Sequence, residues 1–241
     1  MKNKKNTLKT VLKNPKNQKI TLIIPTYNEV STVGDIIKRS KPFVDEIIIV
    51  DSIKSKDNME KIAKKFNVKI IKDEGKGKGN ALRCGINEVK DGIIVFIDAD
   101  GSHIPEDIPS IVKPIADGNY DLVIASRFTG GSHEIFDGTM NGMFRTFFTM
   151  GIAVVLNWRF RQKILDYENG YRAITAKCAR DLKLEANKFD IETEEVMKCL
   201  KKGYRITEVP SRELERKDGV AKLSIIGSGF SIIRRIIVNW F

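Results

Sequence analysis

The sequence has few of the residues that build disulfide frameworks and zinc sites. Its 241 residues include three cysteines and two histidines. Cys84, Cys178 and Cys199 are widely spaced, which indicates no disulfide framework and fits a reducing compartment. His103 and His133 are too far apart in the sequence to indicate a metal pair, and we interpret His103 as a loop histidine.

Long apolar runs are also lacking. A membrane-spanning helix needs roughly 20 consecutive apolar residues, and no run in the sequence reaches that length. The longest candidates cover 147–158 and 223–241, and Arg234 and Arg235 interrupt the second. The basic N-terminus lacks the apolar segment of a secretory signal. We therefore expect a chain that does not span a membrane but is able to lie on its surface.

Negative charge is absent from the N-terminal segment. The chain has 42 basic and 31 acidic residues, a net charge of +11, and residues 1–19 carry seven lysines and no aspartate or glutamate. Most of the excess charge therefore belongs to a lysine-rich arm, which we expect to be disordered. The remaining chain is only weakly basic, so its composition does not favour a body that binds nucleic acid.

What the sequence does have is an alternation of short apolar runs with amphipathic segments, which predict strands and helices in turn. The predicted strands are Ile20–Pro25, Glu46–Asp51, Val68–Ile71, Gly92–Asp98, Asp121–Ala125 and Arg205–Pro210. The predicted helices are Ser31–Ser40, Asp57–Asn67, Lys78–Lys90, Glu106–Asp117, Gly142–Arg161, Asp190–Lys202 and an apolar, basic segment over 223–241, with a loop over 127–142. This pattern favours an α/β fold with a mostly parallel central sheet flanked by helices.

Two carboxylates come at the end of the fourth predicted strand. In Asp98-Ala99-Asp100 they are two residues apart. Ligands of an open parallel sheet bind beyond the carboxyl ends of its strands, and two carboxylates there can hold one hard divalent cation through oxygen. Taken alone, an Asp-x-Asp sequence fits a solvated loop with helix-capping acids better.

Polar clusters also follow the first two strands and open a helix. They are Pro25-Thr26-Tyr27-Asn28-Glu29, Asp51-Ser52 and Gly77-Lys78-Gly79-Asn80. Parallel strands place such clusters at one edge of the sheet, where a nucleotide crevice would lie. Each cluster alone is ordinary turn chemistry, whereas their coincidence favours a nucleotide-binding site.

These motifs, in this order, resemble the family-two nucleotide-sugar glycosyltransferases, and most closely the branch of dolichyl-phosphate mannose and glucose synthases. The resemblance runs over residues 20–223 and includes further motifs. These are Asp121–Phe128, Asp166–Arg172, Glu194, Glu208-Val209-Pro210 and Arg216-x-x-Gly219-x-x-Lys222-Leu223. The resemblance implies a nucleotide-sugar-binding fold of the GT-A type, with a catalytic domain over 20–222 between the arm 1–19 and the C-terminal helix 223–241.

The resemblance implies a donor site for a nucleoside-diphosphate sugar. Asp98 and Asp100 would hold Mg²⁺ or Mn²⁺ on the diphosphate, with Ser102 in the place of a third, weak ligand. The other implied donor contacts are Pro25, Tyr27, Glu29 and Asp51 on the base and ribose, together with Lys78, Arg216 and Lys222. A divalent cation and fixed positive charge suit a leaving diphosphate, on which negative charge builds.

The resemblance also implies an acceptor. Arg127 and Arg145 would bind the phosphate of a polyprenyl phosphate, and Glu194 sits where the family has an acid near the sugar or the acceptor. A phosphate monoester is already anionic near neutral pH, so it needs orientation by arginine rather than a general base. The loop over 129–141 lacks the basic cluster common in mannose synthases, which leaves the donor sugar and the acceptor open.

The expected activity is metal-dependent, inverting transfer of a hexose from a donor of the GDP-mannose or UDP-glucose type to polyprenyl (dolichyl) phosphate. We expect a cytoplasmic protein, peripheral at the inner face of the membrane, with no nucleic-acid partner. Trp158-Arg159-Phe160-Arg161 favours contact with anionic lipid.

Three alternatives stay open at this stage. The acceptor could be a hydroxyl of a soluble or glycan molecule, for which Glu194 or Asp166 would be the base. The chain could instead be a nucleotidyltransferase, which would release pyrophosphate. It could also be a basic protein that binds nucleic acid or membranes through residues 1–19.

Overall fold

The computed structural model describes residues 18–132, 140–216 and 225–240, so the predicted arm lies outside it except for its last two residues. Within these ranges the strands are β1 (Ile20–Thr26), β2 (Glu46–Asp51), β3 (Lys69–Lys72), β4 (Ile93–Phe96), β5 (Leu122–Ser126), β6 (Arg172–Thr175) and β7 (Ile206–Pro210). The helices are α1 (Val30–Ser40), α2 (Met59–Phe66), α3 (Lys78–Asn87), α4 (Ile108–Ala116), α5 (Arg127–Gly130), α6 (Met140–Phe160), α7 (Ala176–Asp181), α8 (Ile191–Lys201) and α9 (Ile225–Val238), with a 3-10 helix at Pro105–Asp107.

The strands form one sheet in the order β3-β2-β1-β4-β6-β5-β7. Neighbouring strands are parallel except at β6, which runs antiparallel to both β4 and β5. The order of the sheet reverses at β1, because β2 and β3 lie on one side of it and β4 lies on the other. A reversal of this kind opens a crevice outside the carboxyl ends of β1 and β4. The predicted α/β fold with a mostly parallel sheet is confirmed.

The core consists of two apolar layers, one on each face of the sheet. Along β1, Leu22 and Ile24 belong to the layer covered by α1, α2 and α4, whereas Ile23 belongs to the layer covered by α3 and α6 to α9. This alternation is the period of two that a strand imposes on its side chains. Since both faces are covered, the strands read as continuous β-branched runs such as Ile47–Val50.

Local chemistry sets several ends of these elements. Pro25 is tolerated inside the central strand β1 because the ladder towards β4 pairs only Ile20–Ile23. Helix α2 begins after Asn58, whose side chain accepts a hydrogen bond from the Lys61 amide at 3.2 Å. It ends at Asn67 in the left-handed conformation, with a φ of 49°.

The segment that follows β5 differs from the predicted loop over 127–142. Arg127–Gly130 form the short helix α5 and α6 already begins at Met140, while 133–139 lie outside the described residues. Strand β6 and helix α7 are not among the predicted elements. β6 has only four residues and begins with Arg172, a charged residue that the fold buries against Glu195. Its sequence therefore carries little of the alternation that marks a strand.

Helix α6 and the C-terminal helix α9 lie side by side. A Cβ added at Gly229 of α9 would lie 3.4 Å from the ring of Phe148 in α6. At the other end of α6, the Arg159 guanidinium lies 5.7 Å from the ring of Trp240. None of the helices in the described ranges is both long and apolar enough to cross a membrane.

Candidate active site

The crevice beside β1 and β4 gathers the predicted polar clusters at one edge of the sheet. Asp51 ends β2, and Asp98 follows β4 by two residues. Because β6 runs the other way, the segment that precedes it, Glu168 to Gly170, reaches the same edge. The start of α3 is there as well, since Lys78 contacts Asp98 directly.

Asp98 lies at the centre of a network of opposite charges. Its Oδ1 is 2.6 Å from Lys78 Nζ, and its Oδ2 is 3.5 Å from His103 Nε2. Burial alone would raise the pKa of Asp98, but the charge of Lys78 and the contact with His103 hold it well below its usual range. The carboxylate is therefore ionised at neutral pH, which is the form that binds a cation.

Gly170 allows this network to close. A Cβ added at Gly170 would lie 2.5 Å from Lys78 Nζ and 2.8 Å from Asp98 Oδ2. Both distances are shorter than van der Waals contact, so a side chain at this position would push the lysine and the carboxylate aside. The close approach of the backbone explains why glycine precedes β6.

Asp100 is the second carboxylate of the site and faces Arg216. Its Oδ1 accepts hydrogen bonds from the amide and the hydroxyl of Ser102 at 3.0 and 2.8 Å. Its Oδ2 lies 3.5 Å from Arg216 Nε. The Ser102 hydroxyl is buried and orients Asp100, and its predicted role as a third, weak metal ligand stays a prediction.

The donor atoms at this edge fit a hard divalent cation. Mg²⁺ prefers oxygen ligands, and proteins commonly hold it with one or two carboxylates while phosphates and water supply the rest. Asp98 and Asp100 provide two such carboxylates. Over the described ranges, no group of three or more His, Cys, Asp or Glu residues is arranged to hold a metal. Two carboxylates at one edge of the sheet suit an ion whose other ligands come from phosphates and water.

Glu194 and Glu192 on α8 occupy unexpected places. Glu194, predicted near the sugar or acceptor, is fully buried, and its Oε2 accepts hydrogen bonds from the amides of Glu185 and Ala186 at 3.0 and 2.7 Å. Its Oε1 is 2.8 Å from Lys198 Nζ. Glu192 instead reaches the site. The burial of Glu194 does not support its predicted role near the sugar or the acceptor, because both of its carboxylate oxygens are bonded within the chain.

Glu192 completes the surroundings of Lys78. Its Oε1 lies 2.9 Å from Lys78 Nζ, an ion pair by distance rather than an aligned hydrogen bond, and its buried Oε2 has no hydrogen-bond partner in the described part of the chain. Burial alone would lower the pKa of Lys78, but Asp98 and Glu192 raise it above its usual range. The lysine is therefore charged, and Glu192 has an oxygen to offer a ligand.

Glu168 is a further acid beside this network. Its Oε1 accepts a hydrogen bond from the Thr193 hydroxyl at 2.8 Å. Burial raises the pKa of Glu168 to about 7, the Thr193 hydrogen bond opposes this rise, and the charge of Glu192 adds to it. Glu168 thus changes its charge close to neutral pH.

Glu168→Gln is expected to make the stability of the protein less dependent on pH. Between its ordinary pKa of 4.5 and about 7, the carboxyl group ionises in the unfolded chain before it ionises in the folded one, so stability falls as the pH rises. The variant should therefore have a higher Tm than the wild type near about pH 8, with the difference shrinking towards about pH 5. Thermal unfolding across this range measures the effect, and a difference in Tm that stays constant with pH would contradict it.

Arg127, predicted to bind the acceptor phosphate, forms a buried ion pair with Asp166. Its Nε and NH2 each lie 2.8 Å from an oxygen of Asp166, and its backbone amide donates to the same carboxylate at 2.9 Å. Both residues are buried, and Glu213 lies 3.7 Å from the guanidinium. Burial would raise the pKa of Asp166, but Arg127 holds it below its usual range. The pair joins β5 to the segment before β6, so this geometry does not support the predicted phosphate contact.

The predicted contacts to the base and ribose lie at the ends of β1 and β2. They are Pro25, Tyr27, Glu29 and Asp51. Asp51 is buried, and its oxygens bind the Thr26 hydroxyl at 2.9 Å and Lys72 Nζ at 2.7 Å, so it joins the ends of three strands. Tyr27 is half-exposed and its amide donates to Glu29 at 3.2 Å, whereas Pro25 is buried within β1. The ring of Tyr27 is therefore the predicted contact most open to a ligand.

Two predicted residues are not placed by the described structure. Lys222 falls in 217–224, outside the described residues. Arg145 belongs to α6, but its side chain lies outside the described residues. The roles predicted for both residues stay predictions.

Three further residues belong to this site: sequence reasoning favours a loop position for His103 and singles out neither Glu168 nor Glu192. The favoured interpretation of His103 is a loop histidine, but His103 is buried, its ring centroid lies 5.0 Å from that of Tyr171, and its Nε2 faces Asp98. Its position three residues after Asp100 was the available signal. Glu168 lies inside the motif Asp166–Arg172, but the sequence alone does not choose it over Asp166, nor Glu192 over the other acids of its helix.

Comparison with known proteins identifies the family. Residues 21–179 match the family described as Glycosyl transferase family 2. The match covers more than half of the chain, which therefore belongs to this family. The predicted class of enzyme, a glycosyltransferase, is confirmed.

Two relatives and one solved structure indicate how far the likeness extends. Glycosyltransferase AglJ of Haloferax volcanii is 29% identical over an alignment of 206 positions, which covers 83% of this chain and 64% of the relative. UDP-N-acetylglucosamine–dolichyl-phosphate N-acetylglucosaminyltransferase of Methanococcus voltae is 28% identical over an alignment of 249 positions, which covers 91% of this chain and 95% of the relative.

The solved structure is glucosyl-3-phosphoglycerate synthase from Mycobacterium tuberculosis in complex with Mn²⁺, UDP-glucose and phosphoglyceric acid. It superposes with a TM-score of 0.76 at 20% identity, over 96% of this chain and 83% of that one. At this identity the likeness concerns the fold, which is that of the GT-A glycosyltransferases.

Proposed function

We propose that the protein transfers a hexose from a nucleoside-diphosphate sugar to a polyprenyl phosphate, with a divalent cation held by Asp98 and Asp100. The observation that carries this proposal is the pair of carboxylates after β4, with Lys78 2.6 Å from one and Arg216 3.5 Å from the other. A site that combines carboxylates with fixed cations suits a diphosphate and its counter-ion. The names of the Methanococcus voltae relative and of the Mycobacterium tuberculosis complex, which include a UDP-sugar, support the donor class.

Several residues of the site would stabilise the leaving diphosphate. A cation at Asp98 and Asp100 supplies charge that stabilises the departing diphosphate. Lys78 and Arg216 add positive charge at the same place. Since Asp98 and Glu192 already hold Lys78, its charge is in position before the donor binds, and little reorganisation is needed during the reaction.

The acceptor that we favour is a phosphate. A phosphate monoester has a second pKa of roughly 6, so it can attack the anomeric carbon without a general base. Glu194 and Asp166, the two acids considered as bases, are buried with their oxygens bonded within the chain. We retain Arg145 as the proposed ligand of the acceptor phosphate and Lys222 as a proposed ligand of the donor.

Glu168 favours a second candidate, transfer to a hydroxyl of a soluble or glycan acceptor. A hydroxyl nucleophile needs a base that works near neutral pH, and the pKa of Glu168 is raised to about 7. The two candidates differ in what Glu168→Gln does to turnover. Transfer to a phosphate should survive the substitution, whereas transfer to a hydroxyl should lose a factor of about 10² or more.

We further propose that the lipid part of the acceptor lies along α6 and α9. These neighbouring helices expose large apolar side chains that we call the α6–α9 surface, namely Phe147, Val154, Trp158, Phe230 and Ile237. A cluster of such side chains marks an interaction surface. Exposed cations follow Trp158 at Arg159, Arg161 and Lys163, and tryptophan beside cations suits the headgroup region of an anionic membrane.

Trp158→Glu is expected to weaken binding to anionic vesicles by about tenfold or more, because it puts a charge where an exposed apolar side chain would enter the membrane surface. Sedimentation with vesicles that contain phosphatidylglycerol measures the affinity. Ile53→Glu is the matched control, since Ile53 is also a large exposed apolar residue, 65% against 77% for Trp158, but follows β2, far in the sequence from either helix. Wild-type binding by Trp158→Glu would contradict the assignment of this surface.

The proposed reaction is tested by a screen of labelled nucleotide sugars, with and without dolichyl phosphate, in Mn²⁺ or Mg²⁺ and in EDTA. We expect a glycosyl lipid and a nucleoside diphosphate, formed only with the metal. Release of pyrophosphate would show a nucleotidyltransferase, and sugar on a hydroxyl would show the second candidate. Removal of residues 1–19 should leave transfer intact, which separates the enzyme from a basic binding protein.

A further inference from the structure

A cluster of buried charges joins α9 to the start of α8. Arg235 Nε lies 2.9 Å from Asp190 Oδ2, and its NH1 lies 3.3 Å from Glu194 Oε1. The Arg235 side chain is 12% exposed, and Asp190 and Glu194 are buried. Lys198 is the other cation on Glu194. Arg235 thus fixes the first turn of α8 from the α9 side, while its neighbour Arg234 is exposed.

The same cluster holds the segment before α8. The second oxygen of Glu194 accepts hydrogen bonds from the amides of Glu185 and Ala186 at 3.0 and 2.7 Å. This segment packs against the start of α3, where a Cβ added at Gly79 would lie 2.5 Å from the carbonyl oxygen of Ala186. The amide of Asn80 donates to the Asn187 carbonyl at 3.2 Å. The position of α3, and with it Lys78, therefore depends on the segment that Glu194 anchors.

A second route from the cluster also ends at Lys78. Glu192 lies in the first turn of α8, between Asp190 and Glu194, and its Oε1 is 2.9 Å from Lys78 Nζ. The two routes approach the lysine from different sides, one through the backbone of α3 and one through its side-chain nitrogen. Lys78 in turn contacts Asp98 at 2.6 Å.

We propose that Arg235 is a positioning residue for the donor site, which acts through Asp190 and Glu194 to hold Lys78 between Glu192 and Asp98. The inference rests on the proposed function in taking Lys78 as a ligand of the donor diphosphate. Removing the guanidinium leaves two buried carboxylates short of their shared cation, so the first turn of α8 must move or take up water. Either change loosens both routes to Lys78.

The first test measures the affinity for UDP and for GDP, each with Mn²⁺, by calorimetry. Arg235→Gln should weaken the binding of the preferred nucleotide by about tenfold, and Arg235→Lys should recover part of the loss. Lys202→Gln is the matched control, because it removes an exposed ion pair with Asp181 from the other end of α8 and should leave affinity unchanged. In a Lys78→Ala background, Arg235→Gln should weaken binding by less than about twofold further.

The second test separates positioning from a purely structural role and from failure of the proposed function. Hydrogen exchange of the backbone amides should become faster in Arg235→Gln over 77–81 and 185–195, and Lys202→Gln should leave these segments unchanged. If the wild type binds neither nucleotide, the proposed function fails, and faster exchange over 77–81 still supports the positioning role. A lower Tm with unchanged exchange over 77–81 would overturn the inference. So would full additivity with Lys78→Ala.

Discussion

Asp98→Asn is expected to lower the turnover of sugar transfer on the order of a thousandfold. Asparagine keeps the shape of the side chain but removes the charge that would bind the cation and that holds Lys78 at 2.6 Å. Lys78 would then be left with Glu192 alone, at 2.9 Å, and would be drawn away from the diphosphate. Steady-state kinetics at several Mn²⁺ concentrations, with the donor that the screen identifies, measure the loss and the weaker dependence on metal.

Asp117→Asn is the control for this variant. Asp117 follows α4, and its carboxylate pairs with Lys113 at 2.6 Å on the surface. Surface pairs of this kind contribute less than about 1 kcal/mol, so the substitution should leave both the fold and turnover nearly unchanged. Asp98→Asn with wild-type turnover and an unchanged response to Mn²⁺ would remove the metal site from the proposal.

The sheet could be predicted from the sequence because burial on both faces gives the strands an unambiguous composition. β2 is observed over the predicted residues, Glu46–Asp51, and its core is Ile47–Val50. Four consecutive apolar, β-branched residues bounded by acids have few other folds available. β6 gives the opposite case. Its four residues form a strand because they pair with β4 and β5 on either side, and this pairing depends on the tertiary fold rather than on the local sequence.

The site was predictable where a side chain follows a strand directly. Asp98 and Asp100 lie beyond β4 because the strand fixes both their position and the edge they face. On helix α8 the same reasoning could not choose among neighbouring acids. Successive residues turn by about 100°, so Glu192 and Glu194 point in nearly opposite directions. The packing of α8 against α3 and α9 decides which one faces Lys78.

The buried ion pair of Arg127 could not be predicted for a related reason. Because Arg127 directly follows β5, its sequence position predicts a place at the crevice. Its partner Asp166, however, lies 39 residues further along the chain. Asp166 is brought to Arg127 by the segment that leads into β6. A buried bidentate pair thus forms where the sequence suggests a free cation. It could not be predicted, because no local sequence pattern reveals a partner at this distance.

Arg127→Ala is expected to reduce the free energy of unfolding by about 3–5 kcal/mol. The substitution removes the guanidinium from Asp166, which is fully buried and would keep, among the described residues, only the backbone amide of residue 127 as a donor. An uncompensated buried carboxylate is costly, whereas loss of both partners is less so, and the double variant Arg127→Met/Asp166→Leu should therefore lose less stability than Arg127→Ala. Chemical denaturation followed by circular dichroism measures each value.

Arg205→Ala is the control that sets the scale for this effect. Its guanidinium is exposed and lies 3.5 Å from Asp121, so its loss should cost less than about 1 kcal/mol. The comparison also decides between the two roles of Arg127. If Arg127 holds the fold, its substitution lowers the stability of the protein and affects acceptor binding only through unfolding. If Arg127→Ala instead keeps the stability of the wild type and raises the KM for polyprenyl phosphate, the buried pair must open for the acceptor. Arg127 would then regain the role that the sequence motif implies.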